Sequence, residues 1–268
     1  MDYRKVLSKA ETIVIKVGTS SITYDTGRLN LGILEKLALV ISDLKNQGKR
    51  VILVTSGAIG VGSVKLGLKK KPEKMSEKQA SAAIGQCELM HIYDKLFAEF
   101  GYHTGQILLT REDVSDSKRK RNVINTFDTL LNYNAIPIVN ENDSIATEEI
   151  EFGDNDTLSA IVSELIGAEL LIILSDIEGL YDKNPRENEN AKLIPFVEVI
   201  DEVIEKAAGE KGTTRGTGGM LTKIAAAKIA AKAGTNMVIA NGADPFVIRR
   251  IIDGDEIGTL FVSRKEKK

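Results

Sequence analysis

The sequence predicts an α/β fold: a mostly parallel central sheet with helices on both faces, three α/β/α layers in all. Two observations predict it. First, short and almost uninterrupted apolar runs alternate with longer segments of helical period; parallel strands covered on both faces read as such continuous runs. Second, the loops that leave those runs, "GTS", "TSGAIG", "NENDS", "SDIEGLYDKNP" and "NGADP", are rich in glycine and polar residues. Open α/β sheets bind ligands beyond the carboxyl ends of their strands. The five loops are therefore expected on one rim, although they lie far apart along the chain.

Taken in order, "TIVIKV" (Thr12–Val17) is a buried strand stopped by Gly18. Ile33, Leu34, Leu37, Val40, Ile41 and Leu44 recur near one helical face, and Gly48 ends that helix. Residues 50–55 ("RVILVT") form the next strand. A long helix follows Ser76 and reaches Phe100. "TGQILL" is a strand ending at Leu109, a helix occupies residues 123–133, and "AIPIVN" (135–140) returns to the sheet. "ATEEIEFGDND" (146–156) reads as an antiparallel hairpin beside the rim. "AELLIIL" (168–174) is almost purely apolar, "TNMVIA" (235–240) is a further strand, and "GTLFV" is the last. No linker, repeat or low-complexity segment divides residues 1–268, so a single domain is expected.

A chain of 268 residues buries roughly three quarters of its unfolded surface and needs no staples. Its single cysteine, Cys87, excludes an intrachain disulfide and a multi-cysteine zinc site. Within the helical stretch "GQCELM" it reads as a small packed apolar group, and such cysteine usage fits a reducing cytosol. No apolar run approaches the roughly 20 residues of a membrane span, and the first residues carry no signal-peptide core. A cytoplasmic protein with no membrane partner is expected. A net charge of −2 provides no basic field for nucleic acid. The local run "SDSKRKRN" (115–122) reads as a solvated loop or helix face, and the terminal "RKEKK" as a frayed tail.

The stretch "GTGGMLTK" (216–223) combines a flexible loop, a helix start and a cation. Glycines let backbone amides approach an anion, and a helix N-terminus adds partial positive charge. Lys223 falls in the first or second turn of a helix ending near Gly234, a poor place for a lysine on dipole grounds alone; a bound anion removes the conflict, and a solvent-facing lysine is the plainer alternative. The spacing is not that of the P-loop, and no dinucleotide fingerprint or protein-kinase signature occurs. Other loops add to the case. Lys16 sits inside an apolar strand, where a lysine needs a partner or a ligand. Ser56, with the amides of Gly57 and Ala58, lies at a strand-to-helix turn. Asp143, Asn155, Asp156, Ser175 and Asp176 follow other strands or the hairpin, and Asp154 to Asp156 suits the cap of a helix beginning near Thr157.

Together "VIKVGTS", "VTSGAIGVG", "IVNENDS", "FGDNDTLSA", "SDIEGLYDKNPR" and "GTGGMLTK" resemble the motifs of the glutamate 5-kinase family, within the amino acid kinase superfamily. The resemblance runs in the family's order from about Thr12 to Phe261. It implies the amino acid kinase fold over residues 1–268, without the additional C-terminal PUA domain that many members carry. The family's threonine before the aspartate of the nucleotide loop is Ser175 here, which keeps the hydroxyl.

The resemblance implies transfer of the γ-phosphate of ATP to the side-chain carboxylate of L-glutamate, the first step toward proline. Lys16 and Lys223 would act at the transferred phosphoryl from opposite sides, with Asp156 holding both ammonium groups. Ser56, Asp143 and Asn155 would bind glutamate, Asp143 pairing with its ammonium. Lys16, Gly18, Ser175, Asp176 and the segment Thr217, Gly218, Gly219, Met220, Leu221, Thr222 and Lys223 would contact ATP. Mg²⁺ would arrive with ATP, held by phosphates and water rather than by a protein cage. Proline as a feedback inhibitor and a homo-oligomer, dimer or tetramer, are further implications. The nucleophile is ionised already, its pKa being near about 4, so no strong base is required. His91 and His103 accordingly read as helix-surface or strand-edge residues. Rival readings are another amino acid kinase, acting on acetylglutamate, carbamate or uridylate, and a non-catalytic sensor. The loop "NENDS" followed by "GDND" favours glutamate, and a sensor has no need of Lys16, Asp156 and Lys223 together.

Overall fold

The computed structural model describes residues 3–147, 152–209 and 219–263. The described elements are β1 (Thr12–Val17), α1 (Thr19–Ile22), α2 (Leu31–Asn46), β2 (Arg50–Val54), α3 (Ala58–Lys65), α4 (Met75–Ala98), β3 (Thr104–Leu109), α5 (Arg111–Ser115), α6 (Ser117–Asn132), β4 (Ile136–Glu141), α7 (Asn155–Ile166), β5 (Leu170–Ser175), β6 (Phe196–Val197), α8 (Glu202–Ala207), α9 (Met220–Ala233), β7 (Asn236–Asn241), α10 (Val247–Asp253) and β8 (Thr259–Phe261). They build one sheet in the order β3-β4-β2-β1-β5-β7-β8-β6. The strands from β3 to β7 in that order are parallel; β8 joins β7 antiparallel, and β6 runs with β8.

Every residue of β1, β4 and β5 is buried, as continuous apolar runs require of strands covered on both faces. Side chains alternate between two apolar layers. Ile13, Ile15 and Val17 enter the layer shared with α2 and α4, whereas Val14 enters the one shared with α6, α7 and α9. Lys16, two residues after Val14, falls on the α7 and α9 side. The alternation thus decides which helices can answer its charge.

The rim follows from register. Lys16 lies beside Val54 of β2 and Ile173 of β5, and Val54 beside Val139 of β4. Strand ends at Gly18, Thr55, Asn140 and Ser175 therefore emerge at nearly one level. Strand order reverses between β1 and β5, the kind of switch point where open sheets form a ligand crevice.

Two glycines fix the helical layer beside this rim. A Cβ on Gly62 of α3 would lie 1.8 Å from the Ser81 carbonyl oxygen, and one on Gly85 of α4 would lie 1.8 Å from that of Ala58. Only hydrogen fits at either place, so α3 and α4 cross backbone to backbone and hold the Ser56 turn against α4.

Several expectations need correction. Residues 146–156 are not a hairpin in their described part: Asn155 and Asp156 open α7, and Ala146, Thr147 and residues 152–154 form no strand. Residues 148–151 of that segment lie outside the described residues. Helix α6 begins at Ser117 rather than near 123, because Asp116 caps it through the Arg119 amide; the basic run is thus an exposed helix face. Cys87 is exposed, not packed: α4 buries Gln86 and Leu89 and turns the residue after Gln86 outward. The C-terminal tail from residue 264 lies outside the described residues. Among the described residues no helix is long and apolar enough to cross a membrane.

Candidate active site

Asp156 is the centre of the rim. It occupies the first turn of α7, whose N-cap is Asp154, accepting from the Thr157 amide at 2.7 Å. An acid in a first helical turn is favoured by the helix dipole. One carboxylate oxygen, Oδ1, lies 2.6 Å from Lys16 Nζ, a close ionic contact whose angles fall outside those of a hydrogen bond. The other, Oδ2, accepts from Lys223 Nζ at 3.0 Å. Thr222 Oγ1 is also 3.0 Å from Oδ2 and 2.7 Å from the Gly219 carbonyl. Lys16, Asp156 and Lys223 are 7%, 1% and 5% exposed. Burial, the largest single influence, opposes ionisation of Asp156; the two ammonium groups together outweigh it and bring the carboxyl down to about 2.

Two ammonium groups and one carboxylate leave one net positive charge buried. An uncompensated charge at such burial costs several kcal/mol. Lys223 is moreover the fourth residue of α9, near the positive end of that helix dipole. The N-cap, Gly219, offers no side chain to the open amides of α9. Gly18, at the end of β1, has a position where a Cβ would lie 3.6 Å from Lys16 Nζ. A doubly or triply charged anion satisfies all of these features together.

Beside this ionic centre lies a neutral one. Asn155 Nδ2 lies 2.6 Å from the Thr55 carbonyl, 2.9 Å from Ser56 Oγ and 2.8 Å from Asn140 Oδ1. Asn140 in turn donates from Nδ2 to Gln86 Oε1 at 2.9 Å, and its Oδ1 accepts from the Glu141 amide at 2.9 Å. Thr55 Oγ1 is paired with the buried Tyr93 hydroxyl at 2.9 Å. A cavity of about 380 Å³ adjoins this network, with Gln86, Glu141 and Asp143 among its lining residues.

The structure therefore brings Lys16, Asp156, Lys223 and Thr222 into contact, and joins Ser56 to Asn155. Asp143 lies on the cavity wall with Asn142 and Ser144. Ser175 is buried at the end of β5, while Asp176 is exposed, 3.2 Å from the Ser175 hydroxyl and 3.5 Å from Arg186. Met220 and Leu221 open α9, Leu221 exposed at its surface. Thr217 and Gly218 lie outside the described residues. His91 and His103 are exposed, as the helix-surface or strand-edge reading has them. Sequence reasoning passed over Asn140, Gln86 and Tyr93. The signal was present in α4: a glutamine on the face that also buries Gly85, Leu89 and Tyr93.

Residues 11–241 match the amino acid kinase family. The chain belongs to that family. Among its relatives is a protein named glutamate 5-kinase from Clostridium perfringens, 55% identical over 266 residues, 98% of this chain and 99% of that protein. Another of the same name, from Clostridium acetobutylicum, is 55% identical over 262 residues, 98% of each chain. The amino acid kinase fold also appears in the solved carbamate kinase from Giardia lamblia bound to AMP-PNP, with a TM-score of 0.67 at 13% identity, covering 96% of this chain and 99% of that one. At that identity the likeness concerns the fold alone.

Proposed function

We propose that this amino acid kinase transfers the γ-phosphoryl group of ATP to the side-chain carboxylate of L-glutamate, giving L-glutamyl 5-phosphate and ADP, the first step of proline biosynthesis. The observation that carries the reading is the buried Lys16–Asp156–Lys223 triad, with its surplus positive charge at the crevice. High identity to glutamate 5-kinases over nearly the full length supports the choice of acceptor.

The chemistry follows from charge. A carboxylate with a pKa near about 4 is already a nucleophile at neutral pH. One of its oxygens bonds to the γ-phosphorus while the bond from that phosphorus to the β,γ-bridging oxygen breaks, leaving ADP. The obstacle is the approach of one anion to another, so catalysis is positioning plus cationic stabilisation. Lys16 and Lys223 supply the cations, and Asp156 fixes both by one oxygen each, as an organiser rather than a base. The amides at the start of α9 face the phosphates. Ser56 and Asn155 hydrogen-bond the acceptor's polar groups, and Asp143 meets its ammonium. Ser175 and Asp176 belong to the nucleotide side of the rim.

Mg²⁺ fits this site as a passenger of ATP, because both oxygens of the buried Asp156 are engaged by lysines; when bound it neutralises phosphate charge. Proline, with the skeleton of a cyclised glutamate, competes for the acceptor cavity in this reading, and a saturating dose that leaves glutamate turnover unchanged rejects that part. Cytoplasmic residence and a dimer or tetramer complete the proposal; sedimentation of the purified chain as a monomer would remove the oligomer.

Trapping the product as a hydroxamate with L-glutamate and MgATP tests the whole. Turnover with glutamate exceeding that with N-acetylglutamate, carbamate or UMP is expected. A preference for any of those three overturns the acceptor assignment.

A further inference from the structure

Gln86 carries a donor that none of the described residues uses. The side chain is 7% exposed, its Oε1 accepts from Asn140 Nδ2, and its Nε2 is buried with no hydrogen-bond partner among the described residues. The carboxamide cannot be turned round to relieve this. Asn140 Oδ1 already accepts from the Glu141 amide and lies 2.8 Å from Asn155 Nδ2, so Asn140 presents its NH₂ to Gln86, which must answer with oxygen. A buried donor left unpaired is costly, and such orphans in a folded protein call for an explanation.

The surroundings supply one. Along α4, Ala82, Ala83, Gln86, Cys87 and Met90 line the cavity, and Glu141 and Asp143 line it from the end of β4. Asp143 suits an ammonium group, while Glu141 Oε1 accepts from the Phe152 amide and fixes the wall beside it. An α-amino acid carries a carboxylate one carbon away from its ammonium, and that carboxylate needs a donor. Ser56 and Asn155 sit at the far end of the same hydrogen-bonded chain, joined to Gln86 through Asn140.

We propose that Gln86 is a specificity-determining residue of the acceptor site, its Nε2 donating to the α-carboxylate of the amino acid whose side chain is phosphorylated. Asn140 holds the carboxamide in that orientation. The inference rests on the glutamate reading above. It also gives α4 a part in substrate choice, coupled to the rim through the glycine crossing of α3 and α4.

The test compares Gln86→Met and Gln86→Glu with the wild type, using L-glutamate at saturating MgATP, with thermal unfolding as a check on folding. Methionine keeps the volume and removes both polar atoms. Glutamate at position 86 keeps the acceptor that Asn140 needs and puts an anionic oxygen where the donor was. Direct donation predicts that KM for L-glutamate rises about 10- to 100-fold in Gln86→Met, the range for a lost hydrogen bond to a charged group. KM rises further in Gln86→Glu, while KM for ATP stays within about twofold. Recovery toward wild-type KM in Gln86→Glu would show that Gln86 only orients Asn140, and would overturn the proposal. So would an unchanged KM in both variants. If either variant fails to fold, the wild type decides: the Gln86 side-chain NH₂ resonances should shift when L-glutamate is added, but not when 4-aminobutyrate, which lacks the α-carboxylate, is added. Equal shifts, or none, reject it. A wild type that forms no hydroxamate from glutamate overturns the functional reading and this inference with it; a wild type that does, with Gln86 silent, overturns this inference alone.

Discussion

The two halves of the crevice solve opposite problems. Around Asp156 the contacts are ionic and buried, and among the described residues they leave a surplus of positive charge. Around Asn155 they are neutral, linked in series from Ser56 through Asn140 to Gln86, and they leave a surplus donor. The first half has a charge to place and the second a shape to recognise. The comparison teaches that cations suit the group whose charge changes during reaction, while a net of carboxamides suits an acceptor that must be told from its analogues. Removing a charge from the first half should be costly at once, whereas removing one hydrogen bond from the second should be modest.

The severest test of that contrast is Asp156→Ala. It leaves two buried ammonium groups facing each other without their carboxylate, and breaking a buried ionic arrangement in this way costs about 3–5 kcal/mol. Denaturant unfolding should register that loss together with abolished turnover; stability within experimental scatter of the wild type would break the comparison. Next comes Lys223→Ala, which takes away one preorganised cation. Turnover should fall on the order of 10² to 10³ with the fold intact, measured by hydroxamate formation and circular dichroism. A fall below threefold would remove Lys223 from the chemistry.

Acid sharpens the same half. The Asp156 carboxyl is lowered from an ordinary 3.8 to about 2 in the folded protein. A lowered folded-state pKa contributes stability that is fully present above the unfolded value and is lost as pH falls through the folded one. About two units of difference correspond to about 2–3 kcal/mol, lost between about pH 4 and pH 2. The stability gap between wild type and Asp156→Asn should therefore narrow over that window; a constant gap counts against the ionic account. The smallest effect belongs to the neutral half. Tyr93→Phe removes the partner of the Thr55 hydroxyl and should cost about 1 kcal/mol, with little change in KM for ATP. A loss as large as that of Asp156→Ala would erase the distinction between the halves.

Much of the sheet was legible because its strands announce themselves. "TIVIKV" and "TGQILL" coincide with β1 and β3; the first is a nearly continuous apolar run stopped by glycine, which leaves few alternatives, and the second is a shorter apolar run on the partly exposed edge strand. Lys16 was legible for the same reason: a charge inside such a run has to be answered. At the end of the 146–156 segment the hairpin reading gives way to a helix from Asn155 onward, because Asp154 caps it and an apolar face follows; residues 148–151 lie outside the described residues. Cys87 was misread because a single residue in a helix does not reveal which way it faces. Gln86 was missed because its importance lies in an unpaired atom, which exists only once neighbours are placed.

By itself the sequence determined the α/β class, the rim of strand-end loops and the residue types suited to an anion, because hydrophobic period, glycine placement and charge within an apolar run are local properties. Only the tertiary structure decided that one carboxylate engages lysines from β1 and α9, and that Asn140 turns Gln86 to leave a donor over. Those facts join positions that are distant along the chain, and the geometry of a hydrogen bond or an ion pair is set by where packed elements meet in space.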